Sequence, residues 1–235
     1  MPLKADIIAT SLENVRRTVA ESAERHGRDP AAVTVLAVGK TQPAETIRAA
    51  AAAGQRDFGA NYLQEALAKM DALADLALVW HFIGAIQSNK TRAIAERFAW
   101  VHTVDRIKIA HRLSAQRPSD LPPLNICLEV NVSDEPQKAG VALDELDALA
   151  AAVAELPHLK LRGLMALPAP SEIFETQREP FRRLASALER LRVAGHDVDT
   201  LSMGMSGDFE AAIAEGATIV RIGTAIFGER VRSKR

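Results

Sequence analysis

Eight short apolar runs recur along this chain, seven of them followed by a clear helical pattern, and that alternation constrains the fold more than any other feature. The runs are Val33–Val38, Asp57–Gly59, Val79–Ile83, Trp100–Thr103, Asn125–Val130, Leu159–Met165, Thr200–Met203 and Thr218–Ile222. Short apolar stretches rich in β-branched residues read as strands buried on both faces. Between them apolar residues recur at helical spacing: Leu63, Leu67 and Met70; Leu146, Leu149, Val153 and Leu156; Phe181, Leu184, Leu188 and Leu191. Pro43 opens one helix at its first turn and Gly54 closes it. Residues 10–26 form a further helix ahead of the first strand, ended by Gly27 and Pro30. Regular alternation calls for a parallel sheet covered by helices. Eight units in about 200 residues suit a closed barrel better than an open doubly wound sheet. The expectation is an α/β fold: one (β/α)8 TIM-like barrel with an extra N-terminal helix, forming a single domain over 1–235. No Gly/Pro/Ser-rich linker divides the chain, and Gln116–Pro123, with three prolines, reads as a loop inside the barrel.

Composition narrows the function. The 29 basic and 30 acidic residues give a net charge of −1, which argues against a mainly electrostatic nucleic-acid or membrane binder. Aromatic residues are only 4%, too few for stacking along a single strand. The single cysteine, Cys127, cannot form an internal disulfide, which fits a reducing compartment. The longest stretch free of Asp, Glu, Lys and Arg, Leu76–Asn89, is too short to span a bilayer, and Met1–Val15 has no signal-peptide h-region. The cytoplasm is the expected location. A monomer is expected, because such a barrel can bury its own core.

In (β/α)8 barrels the chemistry sits past the C-terminal ends of the strands, often with a phosphate site after strands seven and eight. The first strand runs into Gly39-Lys40-Thr41, so Lys40 projects into the barrel mouth. Partial burial of an amine favours its free base, able to attack a carbonyl; the plainer alternative is a lysine snorkelling to solvent. The seventh strand leads into Ser202-Met203-Gly204-Met205-Ser206-Gly207-Asp208, small residues ahead of a helix that runs to Gly216. Such a turn exposes N–H groups to an anion, or is an ordinary cap made by Ser206 or Asp208. After the eighth strand, Gly223 and Thr224 can complete a phosphate cradle, and Arg221 either points inward to an acceptor or makes a rim ion pair. Closure places strand eight beside strand one, so Lys40 and Arg221 become neighbours. An inward lysine beside a phosphate cradle suits lysine-bound pyridoxal phosphate (PLP). It equally suits a Schiff-base aldolase acting on a sugar phosphate.

Other residues carry weaker signals. Asn61, ahead of Tyr62-Leu63-Gln64, reads as a helix N-cap, with a contact to a bound ring as the alternative. His81 reads as a satisfied core histidine, Tyr62 as a packing residue, and Glu129 and Asn131 as polar groups inside the barrel. Gly39-Lys40-Thr41 is not a P-loop, because Thr34 stands where the first glycine belongs. The six histidines lack metal-ligand spacing, and no Gly-x-Ser-x-Gly elbow is present.

Seven separated motifs occur in order through nearly the whole chain. They are Ala37–Thr41; Phe58-Gly59-Ala60-Asn61-Tyr62-Leu63-Gln64-Glu65; Trp80–Lys90; Glu129–Val132 with Gln137-Lys138-Ala139-Gly140; Arg162–Met165; Leu201–Ser206; and Val220–Gly228. Together they resemble the pyridoxal phosphate homeostasis protein family. The resemblance implies a barrel similar to the N-terminal domain of alanine racemase, with PLP as a Schiff base on Lys40. It implies that Ser206, Gly223 and Thr224 hold the phosphate, that Arg221 faces the pyridine nitrogen, and that Asn61 and Met203 flank the ring. An arginine there disfavours nitrogen protonation and weakens the electron sink. The implied role is a PLP carrier that releases its cargo to small amines, amino acids or PLP-requiring apoenzymes. The alternative is a racemase-like enzyme, with His81 as the first acid/base candidate. A racemase also needs a second acid/base, usually from a C-terminal β-domain; the sequence ends at Arg235, soon after the eighth strand, so a solvent-open cofactor is expected. There are two departures from the family pattern: Gly39 replaces the usual serine, and Ala85-Ile86 replaces proline-leucine.

Overall fold

All eight expected strands form, each within two residues of its expected bounds: β1 Thr34–Val38, β2 Asp57–Ala60, β3 Val79–Phe82, β4 Trp100–Val104, β5 Leu124–Glu129, β6 Leu159–Met165, β7 Thr200–Met205 and β8 Ile219–Ile222. The computed structural model describes residues 2–133 and 138–228; Gln137 of the fourth motif and the last seven residues lie outside them. The helices are α1 Pro2–Arg25, α2 Ala44–Ala52, α3 Leu63–Ala72, α4 Thr91–Arg97, α5 Ile107–Gln116, α6 Leu146–Ala154, α7 Phe174–Val193, α8 Phe209–Ala214 and α9 Thr224–Phe227. The strands pair in chain order, all parallel, and close into a barrel. At the seam Leu36 lies opposite Arg221 and Ala37 opposite Ile222.

Strand side chains alternate between two environments. Outward residues such as Ala37, Phe58, Met203, Val220 and Ile222 join the helices in one large apolar core. Inside the barrel Leu36, Ile83 and Ile219 form a small apolar layer. Beside it the interior is polar: His81, His102, Ser202 and Arg221 are all buried. The expectation of His81 as a core histidine therefore holds, and it is one member of a larger polar set.

The N-terminal helix begins at Pro2, eight residues earlier than expected, because its apolar face extends back to Ile8. It packs on α2, α8 and α9 and covers the β8–β1 seam, where four-residue α9 is too short to do so. Two arginines tie it down. Arg16 Nη1 donates to Ala53 O (3.1 Å) on one side, and Arg28 Nη1 donates to Ala217 O (2.7 Å) and Ile213 O (3.0 Å) on the other. Among the described residues no helix is long and apolar enough to cross a membrane, and no group of three or more His, Cys, Asp or Glu is placed to hold a metal ion.

Candidate functional site

The C-terminal mouth of the barrel holds a cavity of about 320 Å³, lined among others by Lys40, Asn61, Ser206, Arg221, Gly223 and Thr224. Six of the seven residues singled out from the sequence therefore meet in one place, although they come from the ends of β1, β2, β7 and β8. The seventh, Met203, is not brought there. It is fully buried in the outer core, while Met205 and Met165 line the cavity. The reason is local. Gly204 has φ +90°, and an added Cβ would sit 2.6 Å from Ala212 Cβ. The β7–β8 register shifts between Ser202 and Met205 at this point. A glycine inside a strand marks such a bulge, which re-aims the residues that follow. It was the available signal that Met205 reaches the mouth.

Lys40 stands two residues beyond the end of β1, half-buried, its Nζ 4.8 Å from the centre of the Tyr62 ring. Tyr62 is 54% exposed, so it is not the packing residue expected from sequence. It occupies the N-cap position of α3 and makes no side-chain cap bond. The expected Asn61 cap is accordingly absent: Asn61 lies one residue before the cap, on the cavity wall. The loop carrying Lys40 is fastened from α3. Glu65 Oε1 accepts from Thr41 N (2.8 Å), and Lys69 Nζ donates to Gly39 O (2.7 Å) and is paired with Glu65. This holds Thr41 at φ +64°, a conformation unfavourable for a β-branched residue. Departure Gly39 also has a local explanation: a Cβ there would run into the Ile47 Cδ1 methyl, which fills the space.

Arg221 is 5% exposed and points into the barrel, not to a rim ion pair. Its Nη1 donates to Ser202 O (2.6 Å) and Ser202 Oγ (2.9 Å), and its Nη2 to Ala166 O (3.0 Å). Three of its five donors are used in this way, and the residue also lines the cavity. Burial pulls its pKa down to about 10, with Asp208, Glu129 and Cys127 opposing, so it stays charged at neutral pH. Beside it no side chain caps the first turn of α9, which leaves the N–H groups after Gly223 open to an anion. At β7 Asp208 stands at the N-cap position of α8, but its Oδ1 accepts from Met205 N (2.6 Å) and makes no cap bond to the helix.

Glu129 is buried at the end of β5, and burial, with Asp105 adding, pushes its carboxyl up to about 7 against the opposing Arg221. Burial likewise raises the Cys127 thiol to about 12, which makes it inert. His81 has both ring nitrogens engaged inside the barrel, away from the cavity wall.

Fold and site together define a barrel of the alanine racemase N-terminal type, and the chain matches that domain family over residues 10–231. Within that class it belongs to the pyridoxal phosphate homeostasis protein family. It is 60% identical to the pyridoxal phosphate homeostasis protein of Pseudomonas aeruginosa, over 95% of this chain and 96% of that protein. It is 54% identical to that of Escherichia coli K12, over 97% and 99%. Among solved structures it is similar to PipY of Synechococcus elongatus with PLP bound, at a TM-score of 0.83 and 36% identity, covering 94% of this chain and all of that one.

Proposed function

We propose that this protein binds PLP at the barrel mouth, takes part in PLP homeostasis, and works as a carrier and not through turnover. One observation carries the reading: a lysine amine, a buried arginine and two turns of small residues meet at one cavity of suitable size. The residues present fit the group by their chemistry. Lys40 Nζ supplies an amine for the aldehyde. Ser206, Gly223 and Thr224 supply hydroxyl and N–H donors for the phosphate. Asn61 stands on the cavity wall as a ring contact. Met205 takes the place expected of Met203. Arg221 can only donate, so a ring nitrogen facing it is held without a proton.

The same arrangement supports carriage. Lys40 Nζ attacks the aldehyde carbon, water leaves, and a C=N bond holds the cargo. An incoming amine or amino acid adds to that carbon, and Lys40 leaves as the free amine. PLP supplies an electron sink when its ring nitrogen is protonated, and Arg221 works against that state. Small amines and PLP-requiring apoenzymes are the recipients in this reading, from a monomer in the cytoplasm.

The test is borohydride reduction followed by peptide-mapped mass spectrometry. A pyridoxyl-phosphate adduct on Lys40, lost in Lys40→Ala, is expected. An unmodified Lys40 after incubation with PLP would overturn the proposal and return the site to a sugar-phosphate aldolase.

A further inference from the structure

A continuous chain of hydrogen bonds crosses the barrel interior from its N-terminal end to Arg221. Asp57 Oδ1 lies 3.1 Å from His81 Nε2, His81 Nδ1 lies 2.9 Å from His102 Nε2, and His102 Nδ1 lies 2.8 Å from Ser202 Oγ. Ser202 Oγ in turn accepts from Arg221 Nη1 at 2.9 Å. Both imidazoles and the hydroxyl are essentially inaccessible, and His81 stacks on Trp100 with ring planes 7° apart. Only the Asp57 carboxylate, in a shallow depression at the opposite face from the cavity, meets solvent.

The two ends dictate the direction of every bond between them. A carboxylate oxygen can only accept, so His81 carries its proton on Nε2. Its Nδ1 then accepts, so His102 donates from Nε2. His102 Nδ1 then accepts the Ser202 proton, which leaves the Ser202 oxygen free to accept from Arg221. Neutral imidazoles are required throughout. Burial lowers the pKa of both rings, with Asp57 opposing for His81 and the neighbouring His81 and Arg221 adding for His102.

We infer that Asp57, His81, His102 and Ser202 are positioning residues that orient the Arg221 guanidinium toward the bound ring from below. Ser202 is the junction, since it accepts from Arg221 through both its hydroxyl and its carbonyl. The other guanidinium arm is held by Ala166 O, so the donors left for the cavity have a set direction. The inference rests on the reading of the cavity as a PLP site, and its test separates the two.

The chain is first read in the cofactor-free protein by nitrogen-15 NMR. Both His81 and His102 are expected as neutral Nε2–H tautomers at pH 7, with separate, slowly exchanging Arg221 Nη–H resonances. Ser202→Ala should broaden the Arg221 resonances, and Ser202→Thr, which restores the hydroxyl, should recover them. An Nδ1–H or doubly protonated ring, or an unchanged Arg221 in Ser202→Ala, would overturn the inference. The second arm uses PLP labelled at the ring nitrogen. Ser202→Ala should weaken its binding roughly five- to tenfold and move the ring-nitrogen resonance toward the protonated value, with Thr restoring both. If Ser202→Ala lowers thermal stability but leaves that resonance in place, the chain is structural only. If the wild-type protein takes up no PLP, the functional reading falls, while the tautomers and Arg221 resonances still decide the chain.

Discussion

Single residues at this site are set by their immediate neighbours. A Cβ at Gly39 would meet the terminal methyl of Ile47, so a larger residue there requires the buried Ile47 side chain to shift. Gly39→Ser should therefore cost about 1–2 kcal/mol, because it overpacks a filled space. Adding Ile47→Val removes the obstructing methyl and should recover most of that loss. Urea unfolding of both singles and the double variant measures the coupling, and simple additivity would show that Ile47 is not the obstacle. Glu129 gives a pH-dependent prediction. Its carboxyl is raised to about 7 by burial. The fold thus holds the proton more tightly than the unfolded chain does. The stability it contributes is complete below about pH 4.5 and is lost as the pH rises through about 7. Glu129→Gln should be more stable than the wild type at pH 8, by up to about 3 kcal/mol, and equal to it below about pH 4.5. A constant difference across that range would mean the carboxyl titrates normally.

Among the elements, α1 has the clearest independent role. The eighth βα unit ends in a four-residue helix, so the seam where the barrel closes takes its cover from the front of the chain. Leu12 is fully buried on that face. Leu12→Ala should lower unfolding stability by about 2–5 kcal/mol, the range for deleting a well-packed leucine. A loss well under 1 kcal/mol in urea would show that α1 rests loosely on the seam. The β7 bulge is the second decisive element, since it exchanges Met203 for Met205 at the mouth. A period-two pattern assigns faces only while the strand stays regular.

At the scale of the whole molecule, a polar barrel interior couples stability to pH. His81 and His102 are buried with lowered pKa values. Their contribution is complete above about pH 6.5, the unfolded value, and is lost as the pH falls below it. Two excluded protons give a slope of up to about 2.7 kcal/mol per pH unit, and Glu129 offsets about half by taking one up. Acid unfolding should therefore be steeper in Glu129→Gln than in the wild type, a comparison made by thermal melts between pH 6.5 and 4.5. Parallel curves would place the titrating groups elsewhere. The sequence by itself determined the number and order of the strands, the barrel class and six of the residues that line the cavity. Those features rest on local periodicity and on the rule that barrel chemistry sits past strand ends. Only the tertiary structure decided the bulge that brings in Met205, the loss of the Asn61 cap, the exposed Tyr62 beside Lys40, and the chain from Asp57 to Arg221. The last joins residues from five strands, up to 100 positions apart between His102 and Ser202. Such contacts come into being only when the sheet closes, because no local pattern records which inward side chains will share the barrel interior.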